Sequence, residues 1–392
     1  MKKFLACLLA IAGFLCIVAP AASSASELTL AGFAFAGDYK SAAQRFPHSF
    51  RIFERLGKAG PGQSLSARVL QRARDVSNPA LDFAPAASLV NLKSSDKALM
   101  AVLSLSEEIV STEDYGAYHK TFVNLRGDLL IFDYKAQLVV RSYPLSVVLF
   151  DATPRAPSEE RLQGFVEDLL LREDGGGLIT QFTRRLATAG LPQEGSRTLQ
   201  VRKAEVTPEA LALMPEALRN NPRAAEALVA DAFAAILSAK LGVPLLPNSI
   251  GHAVGGVMSL RLENGDDMKL KLGEGDYLFD LRLNKFAKIK TSETKVGTAY
   301  VYGAYTSLRF YEPSLGTEFI KTDLKNGESA VVPATQVAAD DFPAYQDAIR
   351  GLFLKFSDAL QQPDSTWITT AASAKDIGSQ LATARDILRK CK

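Results

Sequence analysis

The chain has 392 residues, with 45 lysines and arginines against 43 aspartates and glutamates, and only three histidines and three cysteines. Its length allows a sizeable core and exceeds what one core usually organises, so we expect two domains. The near-neutral charge gives no attraction to polyanions, so we predict no nucleic-acid partner.

The first 25 residues have the layout of a secretory signal peptide. Residues 2–3 are lysines, residues 4–19 are an apolar run, and small residues follow. This run is short for a membrane-spanning helix, which needs about 20 apolar residues. Ser23 and Ala25 fit the small-x-small cleavage pattern. We therefore predict Sec-type export to the periplasm with cleavage after Ala25, and association with the outer membrane is left open.

An uncleaved anchor and a lipoprotein are the alternatives for this leader. The residue before Cys16 is Leu15, which is too large for lipid attachment, and only six residues precede Cys7. Cleavage would leave 43 charges of each sign and a single cysteine, Cys391. No intramolecular disulfide would then form, so the core alone must stabilise the fold. An intermolecular disulfide through Cys391 stays open, although an idle thiol on a frayed tail is the simpler interpretation.

The segment 26–200 is predicted to be an α/β domain. An apolar strand is followed by helices that include an N-cap at Ser64, and a second strand follows them. Two runs rich in Val, Ile, Phe and Tyr then flank the polar sequence DYKAQ, which predicts a long hairpin over residues 119–150. Helices after the N-cap Ser158 complete the domain. This order predicts a mixed sheet covered by helices.

A helical connector is predicted over residues 201–254. Asn221 and Pro222 suit the start of a helix, and apolar residues then follow the helical period until Gly242.

The segment 255–392 changes to a period of two. Met258, Leu260 and Leu262 alternate with polar residues, and the pair Asn264–Gly265 predicts a hairpin turn. Five or six antiparallel strands continue to Pro333. An amphipathic helix then follows and is expected to cover the sheet. The predicted fold class is therefore α+β (mixed α/β): an N-terminal mixed sheet with helices, then an antiparallel β-rich layer under a C-terminal helix.

The sequence contains no recognisable catalytic or metal-binding motif, so we predict no catalytic residues, no metal and no cofactor. His48, His119 and His252 lie far apart and have no metal-ligand spacing. The pairs Ser94/Lys97 and Ser292/Lys295 match S-x-x-K but lack the companion motifs of serine acyl enzymes.

Three acidic pairs are candidate carboxylates for a hydrolase or a cation site: Glu107–Glu108, Glu113–Asp114 and Asp266–Asp267. Adjacent residues on a strand point to opposite faces, so solvated charge is the simpler interpretation.

The remaining candidates for ligand contact are aromatic or lie in a loop. Tyr300 and Tyr302 share one strand face and form a candidate stacking platform for sugar or peptide, although cross-strand packing is the simpler interpretation. His252 lies between two predicted elements, where a turn histidine is the simpler interpretation.

The leading functional prediction is a non-catalytic binding or assembly module of the bacterial cell envelope, with envelope proteins or glycan as partners. One alternative is a carboxylate-dependent hydrolase acting on envelope glycan or peptide. The other is a subunit of a secretion or surface-appendage complex, and a homo-oligomer is left open. We expect no membrane span after cleavage of the leader.

The leader prediction is tested by the mass of the protein isolated from an expressing bacterium. We expect an N-terminus at Ser26, because signal peptidase cuts after the small-x-small pattern. An intact Met1, or an acylated Cys7 or Cys16, would contradict the prediction.

Overall fold

The computed structural model describes residues 26–85, 98–192, 195–248, 253–254, 256–262, 265–334, 340–362 and 365–391. In chain order its strands are β1 (Ser26–Ala36), β2 (Leu81–Pro85), β3 (Leu99–Asp114), β4 (His119–Asp133), β5 (Leu138–Thr153), β6 (Leu199–Val206), β7 (Ala253–Val254), β8 (Val257–Leu262), β9 (Asp267–Lys271), β10 (Tyr277–Glu293), β11 (Gly297–Glu312) and β12 (Thr317–Pro333).

The α-helices in chain order are α1 (Ala42–Arg45), α2 (Pro47–Lys58), α3 (Leu65–Ala73), α4 (Glu159–Leu171), α5 (Leu178–Leu186), α6 (Pro208–Leu211), α7 (Glu216–Arg219), α8 (Pro222–Leu241), α9 (Phe342–Gln361), α10 (Thr366–Ala371) and α11 (Ile377–Leu388). Single 3₁₀ turns cover Tyr39–Ser41 and Arg389–Cys391. Helices and strands occur together throughout the described chain, which confirms the α+β class.

The first sheet has the strand order β2-β1-β3-β4-β5-β9-β8-β7, and β1 pairs in addition with β8. Strands β3, β4 and β5 form an antiparallel meander that contains the predicted hairpin, whereas β1 runs parallel to β2 and β3. The sheet curls back on itself because the β8–β9 hairpin pairs with β1 on one side and with the start of β5 on the other. Apolar side chains such as Met100, Phe132 and Leu260 fill this curl.

The hairpin at Gly265 therefore belongs to the first sheet, and the expectation of one antiparallel layer from residue 255 to Pro333 was wrong in this respect. Gly265 has the positive φ of 97° that the turn requires. Alternation along a strand identifies its buried face but does not specify which sheet it joins.

The second sheet has the strand order β12-β11-β10-β6. Strands β10, β11 and β12 are an antiparallel meander, and β6 adds to its edge in parallel with β10. The predicted C-terminal helix is α9, which packs its side chains Phe353 and Phe356 into the core beside β11 and β12. Strand β6 was not predicted, since only Leu199, Val201 and Ala204 of its eight residues are buried apolar side chains.

Helices α2 to α5 cover one face of the first sheet, whereas α8 lies between the two sheets and contacts both β5 and β6. The side chain of Asn221 caps α8 by accepting a hydrogen bond from Ala224 N, and Gly242 ends it in the left-handed conformation. The segment predicted as a connector thus contributes a central helix of the core. The division into domains at residues 200 and 254 stays a prediction.

The end of the described chain is packed rather than frayed. Cys391 is buried, with its thiol 3.8 Å from Ile387 O, and burial raises the pKa of that thiol to about 12. The interpretation of Cys391 as a thiol on a frayed tail was therefore wrong. Within the described ranges, no helix combines the length and the apolar character that crossing a membrane requires.

Packing between strands at the centre of the first sheet can be tested at Gly127 of β4. A Cβ at this position would lie 2.5 Å from Ser104 O of the neighbouring strand. We expect Gly127→Ala to lower the free energy of unfolding by about 1–3 kcal/mol, because the backbone must shift to admit the methyl group.

The matched control is Gly164→Ala on α4, where the added Cβ meets nothing within 4 Å. This change should raise the free energy of unfolding by about 0.5–1 kcal/mol. Urea denaturation of both variants measures the two values. Equal effects of the two substitutions would contradict the close strand approach at Gly127.

Candidate functional site

The candidate site is an open groove of about 410 Å³ between α8, α9, α5 and β5. Leu228, Ala232 and Ile236 line it from α8, and Phe342 and Ile349 line it from α9. The walls are therefore mainly aliphatic and aromatic. A volume of this size lies within the range of small-molecule sites.

The groove exists because α8 places small residues on one side. Ala232, Ala235 and Ala239 recur at intervals of three and four residues, so they share one helix face. The opposite side of α8 carries Phe233 and Leu237, which are fully buried in the core. The helix is thus held firmly by its large side chains, whereas its small ones leave space.

The mouth of the groove is cationic. Arg184 and Arg185 of α5 and Arg350 of α9 line it, and none of the described lining residues is acidic. Over the residues that the structure describes, these three arginines take part in no ion pair within 4.0 Å. Arg350 interacts at longer range with the carboxylate of Asp347 on its own helix. The groove therefore combines apolar walls with positive charge that is compensated only in part.

Arg185 is the most enclosed of the three arginines. Its guanidinium carbon lies 5.5 Å from the ring centroid of Tyr143, in a cation–π arrangement. Burial lowers the pKa of Arg185 from its ordinary value, because the charged form loses water contacts. An anion at this position would restore part of the lost solvation.

Glutamines add two polar contacts to the walls. Gln346 of α9 is 7 % exposed, and its Oε1 has no hydrogen-bond partner among the described residues. Buried amide oxygens usually accept a hydrogen bond, so the unpaired Oε1 leaves the Gln346 amide free to turn toward a ligand donor or a water in the groove. Gln181 Nε2 donates to Gly175 O at 3.3 Å and is already engaged.

A second polar cluster lies inside the protein, where β4 faces α8. Arg126 is 1 % exposed; its Nη1 lies 2.5 Å from Asp231 Oδ2 of α8, and its Nη2 lies 3.2 Å from Glu107 Oε2 of β3. Asn248 Nδ2 also donates to Asp231. Burial raises the pKa of Asp231. None of these groups lines the groove.

Asp128 is two residues from Arg126 on the same strand face. It accepts a hydrogen bond of 2.6 Å from Ser142 Oγ of β5. Burial raises its pKa to about 7, and the nearby charge of Asp231 adds to the shift, whereas the Ser142 hydroxyl and Arg126 oppose it.

The structure gives the predicted carboxylates mainly structural partners. Glu108 accepts hydrogen bonds of 2.8 Å from the backbone N–H groups of His48 and Ser49, so it caps the N-terminus of α2. Glu107 pairs with Arg126, and Asp267 pairs with Arg261. Glu113 accepts from the backbone N–H of Glu216, and Asp114 accepts from that of Gly116. Asp266 lies in the β8–β9 turn, where its backbone oxygen accepts from Leu262 N.

Tyr300 and Tyr302 lie side by side on β11, with ring centroids 6.1 Å apart. Tyr302 is 2 % exposed, and its hydroxyl donates to Asp341 Oδ1 at 2.7 Å. Lys288 Nζ lies 4.3 Å from the Tyr300 centroid and also pairs with Asp341. Only Tyr300 is partly accessible, so the pair does not offer two open rings, and its role as a ligand platform stays a prediction.

The other sequence candidates do not meet at one place. His252, Ser94 and Lys97 lie outside the described residues. His48 is buried on α2, whereas His119 is half-buried at the start of β4. The described residues contain no cluster of three or more potential metal-ligating side chains.

Sequence reasoning missed the groove itself. Two local signals point toward it: the alanines on one face of α8, and the consecutive arginines at the end of the amphipathic helix α5. Neither signal indicates that the two helices meet.

Comparison with known proteins gives no family. No family model matches the chain, and no curated protein matches it. A structure from Caulobacter crescentus described as a "putative lipoprotein" shares 15% identity over 36% of this chain and 84% of its own length, with a TM-score of 0.21.

Two further structures are similar to the same extent. A minor lipoprotein from Acinetobacter baumannii shares 9% identity over 43% of this chain and 89% of its own, with a TM-score of 0.21. A structure from Helicobacter pylori described as a "putative neuraminyllactose-binding hemagglutinin homolog" shares 11% identity over 45% of this chain and 88% of its own length, with a TM-score of 0.26. Structural similarity at these TM-scores supports no inference about function.

The pKa of Asp128 predicts a pH-dependent stability. The folded protein binds this proton more tightly than the unfolded chain, whose ordinary pKa is 3.8. The contribution of Asp128 to stability is therefore full below about pH 3.8 and is lost as the pH rises to about 7. Asp128→Asn should thus gain stability relative to the wild type over this window, by at most about 1.4 kcal/mol per pH unit.

Chemical denaturation at a series of pH values measures this difference. Ser142→Ala removes a hydroxyl that favours the carboxylate, so it should move the upper end of the window to higher pH. A difference between Asp128→Asn and the wild type that stays constant with pH would contradict the raised pKa.

Proposed function

We propose that the protein is a non-catalytic binding protein of the bacterial cell envelope, and that the groove between α8 and α9 is its binding site. One observation carries the proposal: an open cavity of about 410 Å³ has mainly apolar walls and three arginines at its mouth, with no acid among its described lining residues. Exposed apolar surface of this kind is unfavourable in water, so a ligand that covers it gains free energy on binding. The leader layout of residues 1–25 supports the envelope location.

The alternative of a carboxylate-dependent hydrolase finds less support. Such an enzyme needs two carboxyl groups that face substrate. Asp128 and Asp231, the two most buried of the described acids with raised pKa values, are instead engaged by Ser142, Arg126 and Asn248. No specific observation favours the alternative of an appendage subunit.

The proposal is tested by filling the groove. We expect an uncharged apolar fluorescent probe, N-phenyl-1-naphthylamine, to bind the purified protein saturably with increased emission. Ala232→Trp places an indole against the groove wall and should weaken probe binding at least about tenfold, equivalent to about 1.4 kcal/mol.

The matched control is Ala59→Trp, which adds the same side chain at an exposed position after α2. Its probe affinity should equal that of the wild type, and thermal unfolding followed by circular dichroism checks that both variants fold. Absence of saturable binding, or equal binding by the wild type and Ala232→Trp, would overturn the proposal.

A further inference from the structure

We propose that the groove binds a single-chain anionic amphiphile, with its acyl chain along the alanine face of α8 and its anionic headgroup at Arg184 and Arg185. This inference rests on the proposed function, because it assigns a ligand class to the same groove. Fatty carboxylates and lysophospholipid phosphates share the required chemistry.

The alanine face suits an acyl chain. The α8 residues that line the groove run from Leu228 to Ala239, and this stretch is about 17 Å long at 1.5 Å per residue. An extended chain of medium length fits along it. Each methylene group that leaves water would contribute about 0.8 kcal/mol.

A peptide is a poorer occupant of the same wall. Its backbone N–H and C=O groups would need hydrogen-bond partners along the whole contact. The groove-facing side of α8 offers Leu228, Ala232, Ala235, Ile236 and Ala239, whose side chains have no polar atoms. The backbone groups inside α8 are engaged within the helix. An acyl chain requires none of these partners, so the wall favours it.

The adjacent arginines of α5 define the end of the groove that would hold the anionic headgroup. Arg185 is partly enclosed beside Tyr143, whereas Arg184 is more exposed. A Cβ on Gly175 would lie 2.6 Å from Arg184 Nη1, so the glycine leaves the space that this guanidinium occupies. Guanidinium groups bind carboxylate and phosphate oxygens through paired charge-assisted hydrogen bonds. Arg350 adds positive charge from the facing helix.

Gln346 offers a contact for the part of the ligand between chain and headgroup. The Gln346 side chain lines the groove, and its buried Oε1 has no described partner, so a rotation of the side-chain amide toward the groove would let this oxygen accept a hydrogen bond from a hydroxyl group. The glycerol of a lysophospholipid carries such a hydroxyl group, whereas a fatty carboxylate does not. Comparing the two ligands therefore tests the contribution of this residue.

The experiment measures the affinity of four ligands with the same 14-carbon chain by displacement of N-phenyl-1-naphthylamine, below their micelle concentrations. The ligands are the fatty alcohol, the fatty carboxylate, lysophosphatidylglycerol and lysophosphatidylcholine. We expect the carboxylate and lysophosphatidylglycerol to bind at least about tenfold more tightly than the alcohol. Lysophosphatidylcholine should be weaker than lysophosphatidylglycerol, because its choline carries positive charge toward the arginines.

Arginine variants then locate the headgroup. Arg185→Gln and Arg184→Gln should each weaken binding of the anions severalfold and leave the alcohol unchanged. The control is Arg51→Gln, which alters an exposed arginine paired with Glu159 on the helices that cover the first sheet. It should change neither the affinity for the anions nor that for the alcohol. Since Arg185 contacts Tyr143, the more exposed Arg184 provides the variant least dependent on packing. Gln346→Leu should weaken binding of lysophosphatidylglycerol, whose glycerol hydroxyl would lose its acceptor, and should leave binding of the carboxylate unchanged.

The outcomes separate the two proposals. Equal affinity for alcohol and anions, or selectivity that both arginine variants retain, would overturn the anionic ligand but leave the groove as a binding site. Binding of an apolar peptide with a free carboxyl terminus, in place of all four lipids, would also overturn it. Displacement by none of these ligands, together with no binding of the probe itself, would overturn both.

Discussion

The architecture depends on the buried ion pair between Arg126 of β4 and Asp231 of α8. A guanidinium that is 1 % exposed is tolerated only with a partner, and Asp231 Oδ2 lies 2.5 Å from its Nη1. Removing one member of such a pair leaves an uncompensated buried charge, which typically costs about 3–5 kcal/mol. The pair therefore ties α8 to the first sheet, in addition to the packing of its large side chains Phe233 and Leu237. Because α8 supplies one wall of the groove, the same contact helps to position that wall.

A row of polar side chains on one face of β4 also explains the unusual environment of the acidic groups near Arg126. Asn124, Arg126 and Asp128 share one face of the strand, and the other face carries apolar side chains of the main core. Around the single positive charge of Arg126 lie Glu107, Asp231 and Asp128. A protonated Asp128 reduces the excess of negative charge in this buried region, in keeping with its pKa of about 7. The cluster is thus a structural device with its own pH dependence, separate from the groove.

Local sequence signals predicted local structure well, because caps, turns and periodicity act over a few residues. Ser64 and Ser158 accept the capping hydrogen bonds expected of them, and the hairpin over 119–150 pairs along its length. Sheet membership was not predictable in this way: the β8–β9 hairpin joins the first sheet, and β6 joins the second by a parallel contact. The groove was still less predictable. Its walls come from β5, α5, α8 and α9, which are spread over roughly 200 residues of the chain, and only the packed structure brings Arg185 and Gln346 to one cavity.

The near-neutral net charge of the chain does not reveal the local positive charge at the groove, which is the feature that argues most directly for an anionic ligand. A chain with nearly equal numbers of acidic and basic residues has little long-range attraction for polyanions. Over distances shorter than the Debye length of about 8–10 Å, however, the arrangement of charges matters more than their sum. At the groove, three arginines meet without a described acidic lining residue, while most other arginines of the described chain have carboxylate partners, as Arg51, Arg55 and Arg202 do. A protein in which most arginines outside the groove have carboxylate partners, and which places the partly desolvated Arg185 beside an apolar wall, is suited to a ligand that supplies both an anion and a hydrocarbon chain.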